Sequence, residues 1–422
     1  MTFSNVDAEN DHADNERLVL AAAQTLLDNG EDTTGVISTV DRMSNALHLG
    51  VAASLGWGEM TLRSRDRLVG ITQTNPWNVN MRRVIATLEA TAAINEGRLR
   101  GAAAEAALRD AAARPAYGLV PFALVCAIGA AALSIINGAS HPTVLGIVAC
   151  SALLGAFVRR GLGALGANPL AQLFFASLLA GLVGAAAARF HVAFKTGLVA
   201  LGPLFVLVPG PALLGGAFDA VGLRIPLGLS RFTYGVLSIV ALSAGVIIGV
   251  ELVGGSSVTE RMPMTSISLW LDMLCAGLAS VAYGIFFSMP SRTLVYPTIM
   301  GLIAHGLRWF CLNDLRLSNA CAAGLACLFV GVVMEPLSRR LRLPFAAVGF
   351  ASVVAQVPGS YLFRMSAGLA TLQQHGAHAS VDLLAGILSD GGTALLTLVT
   401  MTIGLVLPKS VYMLFDTPKL AK

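Results

Sequence analysis

Charge is what this sequence has least of. Only 12% of its 422 residues are Asp, Glu, Lys or Arg, while 55% are hydrophobic. The usual catalytic signatures are missing too: no P-loop, no Gly-x-Ser-x-Gly, no His-Glu-x-x-His and no paired catalytic aspartate motif. No basic stripe is present, which excludes a nucleic-acid surface as partner. The six cysteines (Cys126, Cys150, Cys275, Cys311, Cys321, Cys327) all lie in apolar runs, and none forms a Cys-x-x-Cys pair. They read as small buried apolar residues, so neither a disulfide nor a metal nor any other cofactor is expected. The start, "MTFSNVDAENDHADNERLV", has neither a basic region nor an apolar core, so no signal peptide is expected.

What the chain does have is long, almost uncharged stretches from about residue 118 onward. A hydrocarbon core takes about 20 apolar residues per helical span, so the expected class is a polytopic α-helical membrane protein whose partner is the lipid bilayer. Residues 1–117 differ: they hold 11 of the 28 Lys+Arg and 15 of the 24 Asp+Glu, a balance of −4, and the remainder carries +8. Helical spacing in "NERLVLAAAQTLLDNG" and "DTTGVISTVDRMSNALHLG" is followed by three short alternating segments, then by two more helical segments. A small α+β cytoplasmic domain is predicted there, with a regulatory role. Arg63, Arg65 and Arg67 alternate around a turn near Asp66 and read as a solvated strand edge.

Ten spans are predicted, near 118–137, 142–158, 169–188, 196–220, 231–252, 266–288, 293–311, 318–335, 345–369 and 390–408. Two of them are interrupted by Val-Pro-Gly, in "FVLVPGPALLGG" and "VVAQVPGSYLFR", with prolines at 209 and 358. The offset of 149 recurs between the first spans of the two halves and between Arg159 and Arg308. Pro209 also lies 14 residues after Lys195, as Pro358 does after Pro344. These registers predict a duplicated five-span unit, residues 118–254 and 265–422. An odd number of spans makes consecutive units enter from opposite sides, so a 5+5 inverted repeat is expected. With a cytoplasmic N-terminus, eleven basic residues of the membrane part fall inside (Arg342, Lys419 and Lys422 among them) and six outside (Arg261 among them). That asymmetry predicts a multi-pass protein with both termini cytoplasmic.

Proline breaks free backbone groups that survive in a membrane only inside protein or beside a wet cavity. The two breaks therefore predict a composite binding site near the midplane, where half-helix ends hold the charged groups of a small substrate. Its candidate residues are Pro209, Gly210, Asp219, Pro358, Gly359, Ser360, Tyr361 and Arg364. Asp219, Asp272 and His305 are charged or titratable groups inside apolar runs and are the candidates for proton handling. Two ordinary kinks remain the alternative to a site.

Four stretches, "LLDNGEDTTGVISTVDRMSNALHLG", "RPAYGLVPFAL", "LVPGPALLGGAFDAV" and "VPGSYLFRMSAGL", resemble the threonine/serine exporter family over nearly the full length. In the family pattern an asparagine usually stands where Gly215 stands here. The resemblance implies a ten-span transporter of the bacterial inner (plasma) membrane that exports small hydroxy amino acids, driven by the proton motive force. Protons and a small amino-acid substrate would be its partners, and a homo-oligomer stays open. Some relatives are linked to dicarboxylates such as succinate, so that substrate is the alternative. A passive channel and a membrane-embedded enzyme are the remaining readings, and no constellation at the breaks favours the enzyme.

Overall fold

The computed structural model describes residues 3–64, 67–192, 196–254, 267–341 and 343–416. Arg65, Asp66, Lys195, Arg261, Arg342, Lys419 and Lys422 lie outside them, so the predictions that used those residues are not addressed.

The N-terminal region begins with α1 (Phe3–Asp28) and α2 (Thr33–Ala46). Asp32 caps α2 by accepting a hydrogen bond from the Gly35 N–H at 3.0 Å, an arrangement worth about 0.5–2 kcal/mol. The strands β1 (Val51–Leu55), β2 (Glu59–Ser64) and β3 (Arg67–Gln73) form an antiparallel meander, with an irregularity between Leu62 and Arg63. Met60 and Leu62 alternate inward from β2 and are fully buried against Leu26, Leu27, Val40 and Met43 of the helices. Then α3 (Met81–Asn95) and α4 (Gly101–Ala113) complete the region. The predicted order of two helices, three strands and two helices is what forms.

The apolar part contains α5 (Leu119–Ile136), α6 (Pro142–Ala164), α7 (Pro169–Arg189), α8 (Thr196–Leu201), α9 (Gly210–Val221) and α10 (Ile225–Leu252). It continues with α11 (Leu269–Phe286), α12 (Val295–Asn313), α13 (Asn319–Leu341), α14 (Phe345–Val353), α15 (Gly359–His375) and α16 (Val381–Asp416). Short 3₁₀ turns at Gly202–Leu207 and Val354–Gln356 precede the two Val-Pro-Gly breaks. Among the described residues, seven helices are long and apolar enough to cross a membrane. The count is eight if the pair bent by 53° at Pro209 makes one span. Helical segments stand at all ten predicted positions, but α12 and the α14–α15 pair are not among those seven or eight.

The packing recurs in the two halves. In the first, α5 packs on α6, α6 on α7, α7 on α10 and α9 on α10. In the second, α11 packs on α12, α12 on α13, α13 on α16 and α15 on α16. Close approach is bought by glycine in both α7–α10 and α13–α16. A Cβ on Gly245 would lie 2.3 Å from the Phe174 carbonyl, and one on Gly404 would lie 2.5 Å from the Gly324 carbonyl.

The N-terminal region docks on one end of the helix assembly. Met81 N–H donates to the Phe287 carbonyl (2.9 Å), Arg292 pairs with Glu89 (3.0 Å), and Lys409 Nζ pairs with both Asp32 carboxylate oxygens (2.9 Å each). This end, the domain side, therefore holds the start of α5 and the ends of α11 and α16. The other end, the far side, holds the start of α11 and the ends of α10 and α15, joined by Gln374 donating to Glu251 (2.9 Å). From their breaks, α9 runs toward the domain side and α15 toward the far side.

Candidate functional site

The two breaks share one geometry. Val208 and Val357 are extended (ψ 128° in both), as the residue before a proline must be. Pro209 (φ −77°, ψ 54°) and Pro358 (φ −76°, ψ 49°) each centre a three-residue turn. The Gly210 N–H closes the first onto the Val208 carbonyl (2.8 Å), and the Gly359 N–H closes the second onto the Val357 carbonyl (2.7 Å). Helix resumes immediately, with Leu213 and Leu362 N–H donating to the Pro209 and Pro358 carbonyls.

These turns touch each other. A Cβ on Gly359 would lie 2.7 Å from Val208 Cγ2, and one on Gly210 would lie 3.6 Å from Val357 Cγ2. Behind them Phe205 and Phe363 face one another (6.5 Å between ring centroids). The Phe205 carbonyl, freed by the first break, accepts the buried Tyr283 hydroxyl at 2.7 Å. The paired breaks thus form a packed septum, with cavities on either side of it.

The far-side cavity, about 620 Å³, lies against Pro358, Gly359, Ser360, Tyr361 and Arg364 and reaches Asp272, Arg308 and Gln356. Arg364 is committed within it: Nε donates to Asp390 Oδ2 (3.1 Å), Nη2 donates to Oδ1, and the guanidinium lies 4.6 Å over the Tyr361 ring. Arg308 donates from Nη2 to Asn319 Oδ1 (2.5 Å), and its buried Nε has no partner among the described residues. Asp272 Oδ2 is 2.8 Å from His305 Nδ1. His305 itself is fully buried behind Asp272, with Nε2 unpartnered. Gln356 is 3% exposed, and both of its amide atoms lack partners among the described residues.

Asp219 stands elsewhere. Ten residues along α9 carry it about 15 Å from the break. It lies in a separate cavity of about 280 Å³ between the N-terminal region and the helices, with Asp32, Thr34, Arg231 and Lys409. There it pairs with Arg231 (3.3 Å) and Arg224 (4.0 Å). A Cβ on Gly215 would lie 3.0 Å from Arg231 Nη1, so that guanidinium occupies the space beside the glycine. Beside it, burial and then the neighbouring Asp32 charge push the Glu31 carboxyl up to about 8. Burial opposes ionisation of Asp32 as well, but the Lys409 charge and hydrogen bond and the Gly35 N–H hold it below the usual carboxylate range.

A third cavity, about 510 Å³, adjoins Pro209 on the domain side and contains Arg159, Arg160, Tyr234 and Tyr283. Of the predicted residues, the structure brings Pro209, Gly210, Pro358 and Gly359 together. Ser360, Tyr361, Arg364 and Asp272 share the far-side cavity, His305 stands behind it, and Asp219 is apart. Gln356 was missed, although a lone amide in the run "FAAVGFASVVAQVPG" is a readable signal. The Asp32–Lys409 contact, 377 residues apart in sequence, carried no such signal.

No group of three or more metal-binding side chains occurs among the described residues. What stands is a multi-pass helical membrane protein with cavities on both sides of a pair of touching helix breaks. Residues 17–253 match one family model, described as a threonine/serine exporter, and residues 272–411 match a second, described as "Threonine/Serine exporter, ThrE". The chain belongs to the threonine/serine exporter family. No curated protein and no solved structure matches it.

Proposed function

We propose that this protein is a secondary active transporter that exports threonine, serine or similar small amino acids in exchange for protons, from the far-side cavity at the second break. The observation that carries this reading is the set of groups in that cavity. Arg308 offers a guanidinium to a carboxylate, Asp272 a carboxylate to an ammonium, and Gln356 with Ser360 amide and hydroxyl groups to a side-chain hydroxyl. Together they complement a zwitterion that carries a hydroxyl.

Exchange follows if Asp272 takes either a proton or the substrate ammonium, never both. His305, hydrogen-bonded to it and sealed from solvent, relays or shares that proton. A proton arriving from outside then displaces the substrate, and the empty protonated site returns. The matched packing of the two halves and the opposed directions of α9 and α15 support ten spans in a 5+5 inverted repeat. Rocking of one half on the other at the septum would alternate access. In this reading the N-terminal region is a cytoplasmic regulatory domain and the protein sits in a bacterial inner membrane with both termini inside.

A dicarboxylate would need two available cations. Arg364 is occupied by Asp390, which favours the amino acid. The test is efflux of preloaded threonine, serine, valine and succinate from cells with and without the protein. Threonine and serine are expected to leave faster with it, and a protonophore to abolish the difference. Succinate efflux alone, or no efflux, contradicts the proposal.

A further inference from the structure

We infer that Arg159 is a second carboxylate-binding site, on the domain side of the septum, that receives the substrate before it reaches the far-side cavity. This rests on the transport reading above and adds to it a site at the other break. Arg159 and Arg308 stand 149 residues apart, the same step that separates Pro209 from Pro358. Each lies on the second long helix of its half, α6 or α12, and each lines the cavity that adjoins the break of its own half.

The surroundings of Arg159 ask for an anion. The domain-side cavity is lined by Arg83, Arg159 and Arg160 and by no carboxylate among the described residues. Arg83 donates to the Arg114 carbonyl (2.9 Å) and Arg160 to the Tyr117 carbonyl (3.4 Å). Arg159 is different: its Nη1 is buried and without a hydrogen-bond partner among the described residues. Its guanidinium carbon lies 4.8 Å from the Phe286 ring centroid and 5.9 Å from that of Phe122. The titratable groups around it from α5, α6 and α10 are Cys126, Arg160 and Tyr234, none of them an anion at neutral pH. A guanidinium does not discharge by losing its proton, and a buried cation with no counter-charge costs several kcal/mol. The two rings lie on one side of the guanidinium, and its unpartnered Nη1 remains for the oxygen of a planar anion.

The far-side cavity balances its arginines with Asp272 and Asp390, whereas this one has no acid among the described residues to hold an ammonium group. The two sites therefore differ in what they read. The domain-side cavity concentrates carboxylates by charge, and the amino and hydroxyl groups are read only after passage across the septum. Trp77 and Asn78 of the N-terminal region line the same cavity, so that region borders the path by which substrate arrives.

The experiment uses the full chain in liposomes, with threonine presented in turn to the domain side and to the far side. Arg159→Gln is expected to raise the half-saturating threonine concentration on the domain side by about tenfold or more, as loss of a charge-assisted hydrogen bond implies. On the far side the same variant should stay within about twofold of wild type, which also shows that it is folded. Arg159→Lys should recover part of the domain-side affinity. Threoninol, which lacks the carboxylate, should compete poorly from the domain side of wild type and comparably with threonine in Arg159→Gln. Equal shifts on both sides, or none, overturn the inference while leaving the transport reading in place. Domain-side affinity that varies with chloride or phosphate, and ceases to do so in Arg159→Gln, would assign the site to an inorganic anion and also overturn it. Absence of saturable threonine flux in wild type from either side removes the transport reading itself, and the inference with it.

Discussion

Two arginines share the far-side cavity; among the described residues Arg308 has a buried N–H without a partner, whereas Arg364 is clamped by Asp390. The sequence made Arg364 the prominent cation, since it follows the second break, whereas Arg308 stood out only as the repeat partner of Arg159. Neither reading could know of Asp390, which is 26 residues further along and on another helix. Gln356 is a similar case: its lone amide could be read in the apolar run, but the lack of partners for both of its buried atoms among the described residues could not. A buried amide with both atoms unpartnered is costly unless a ligand satisfies it. Gln356→Leu is therefore expected to reduce the preference for threonine over valine by about tenfold or more, because a site built to pair a hydroxyl rejects the analogue lacking it. Competition assays with the two amino acids measure this. Unchanged preference would remove Gln356 from the site.

At the scale of elements, the Val-Pro-Gly breaks were legible, and so was their 149-residue spacing, because proline restricts the backbone locally whatever surrounds it. That the breaks meet was expected, as one composite site; that they pack against each other and leave separate cavities was not legible, since it depends on how two distant segments cross. That contact makes the two glycines unequal. Gly359→Ala drives a Cβ to 2.7 Å from Val208 Cγ2 and is expected to cost about 1–3 kcal/mol by overpacking. Gly210→Ala meets Val357 at 3.6 Å, ordinary contact, and is expected to cost less than about 1 kcal/mol. Thermal unfolding of the two variants in the same detergent compares them, and equal losses would contradict the crossing described here. The span count has a related cause. Helix α12 carries His305 and Arg308, which turn toward a cavity and a buried acid, so its composition is not that of a fully lipid-facing span.

Across the whole molecule, the division into an acidic N-terminal region and an apolar remainder could be read from charge alone, but the interface between them could not. Asp32 both caps α2 and meets Lys409 at the end of α16, and Glu31 is buried next to it. The two acids pull the pH dependence in opposite directions. Asp32 has a lowered pKa, so its contribution is present above its ordinary value of 3.8 and is lost as pH falls through the native value. Glu31 is raised from 4.5 to about 8, so the folded protein keeps a proton that the unfolded chain gives up. Stability is thus expected to fall as pH rises from about 5 to about 8 and to level off above that. Glu31→Gln should flatten this slope while leaving the acid limb due to Asp32. Unfolding temperatures across that range test it, and a wild-type slope of the opposite sign would contradict the assignment.

The most direct measurement of the central claim is uphill threonine movement in liposomes containing the full chain, driven only by an imposed proton gradient. Threonine is expected to accumulate against its own gradient on the side from which protons flow, and a protonophore to abolish this. Asp272→Asn is expected to lose that uphill movement. Threonine flux that is the same with and without the proton gradient, or uphill movement that persists in Asp272→Asn, would overturn proton-coupled export through Asp272.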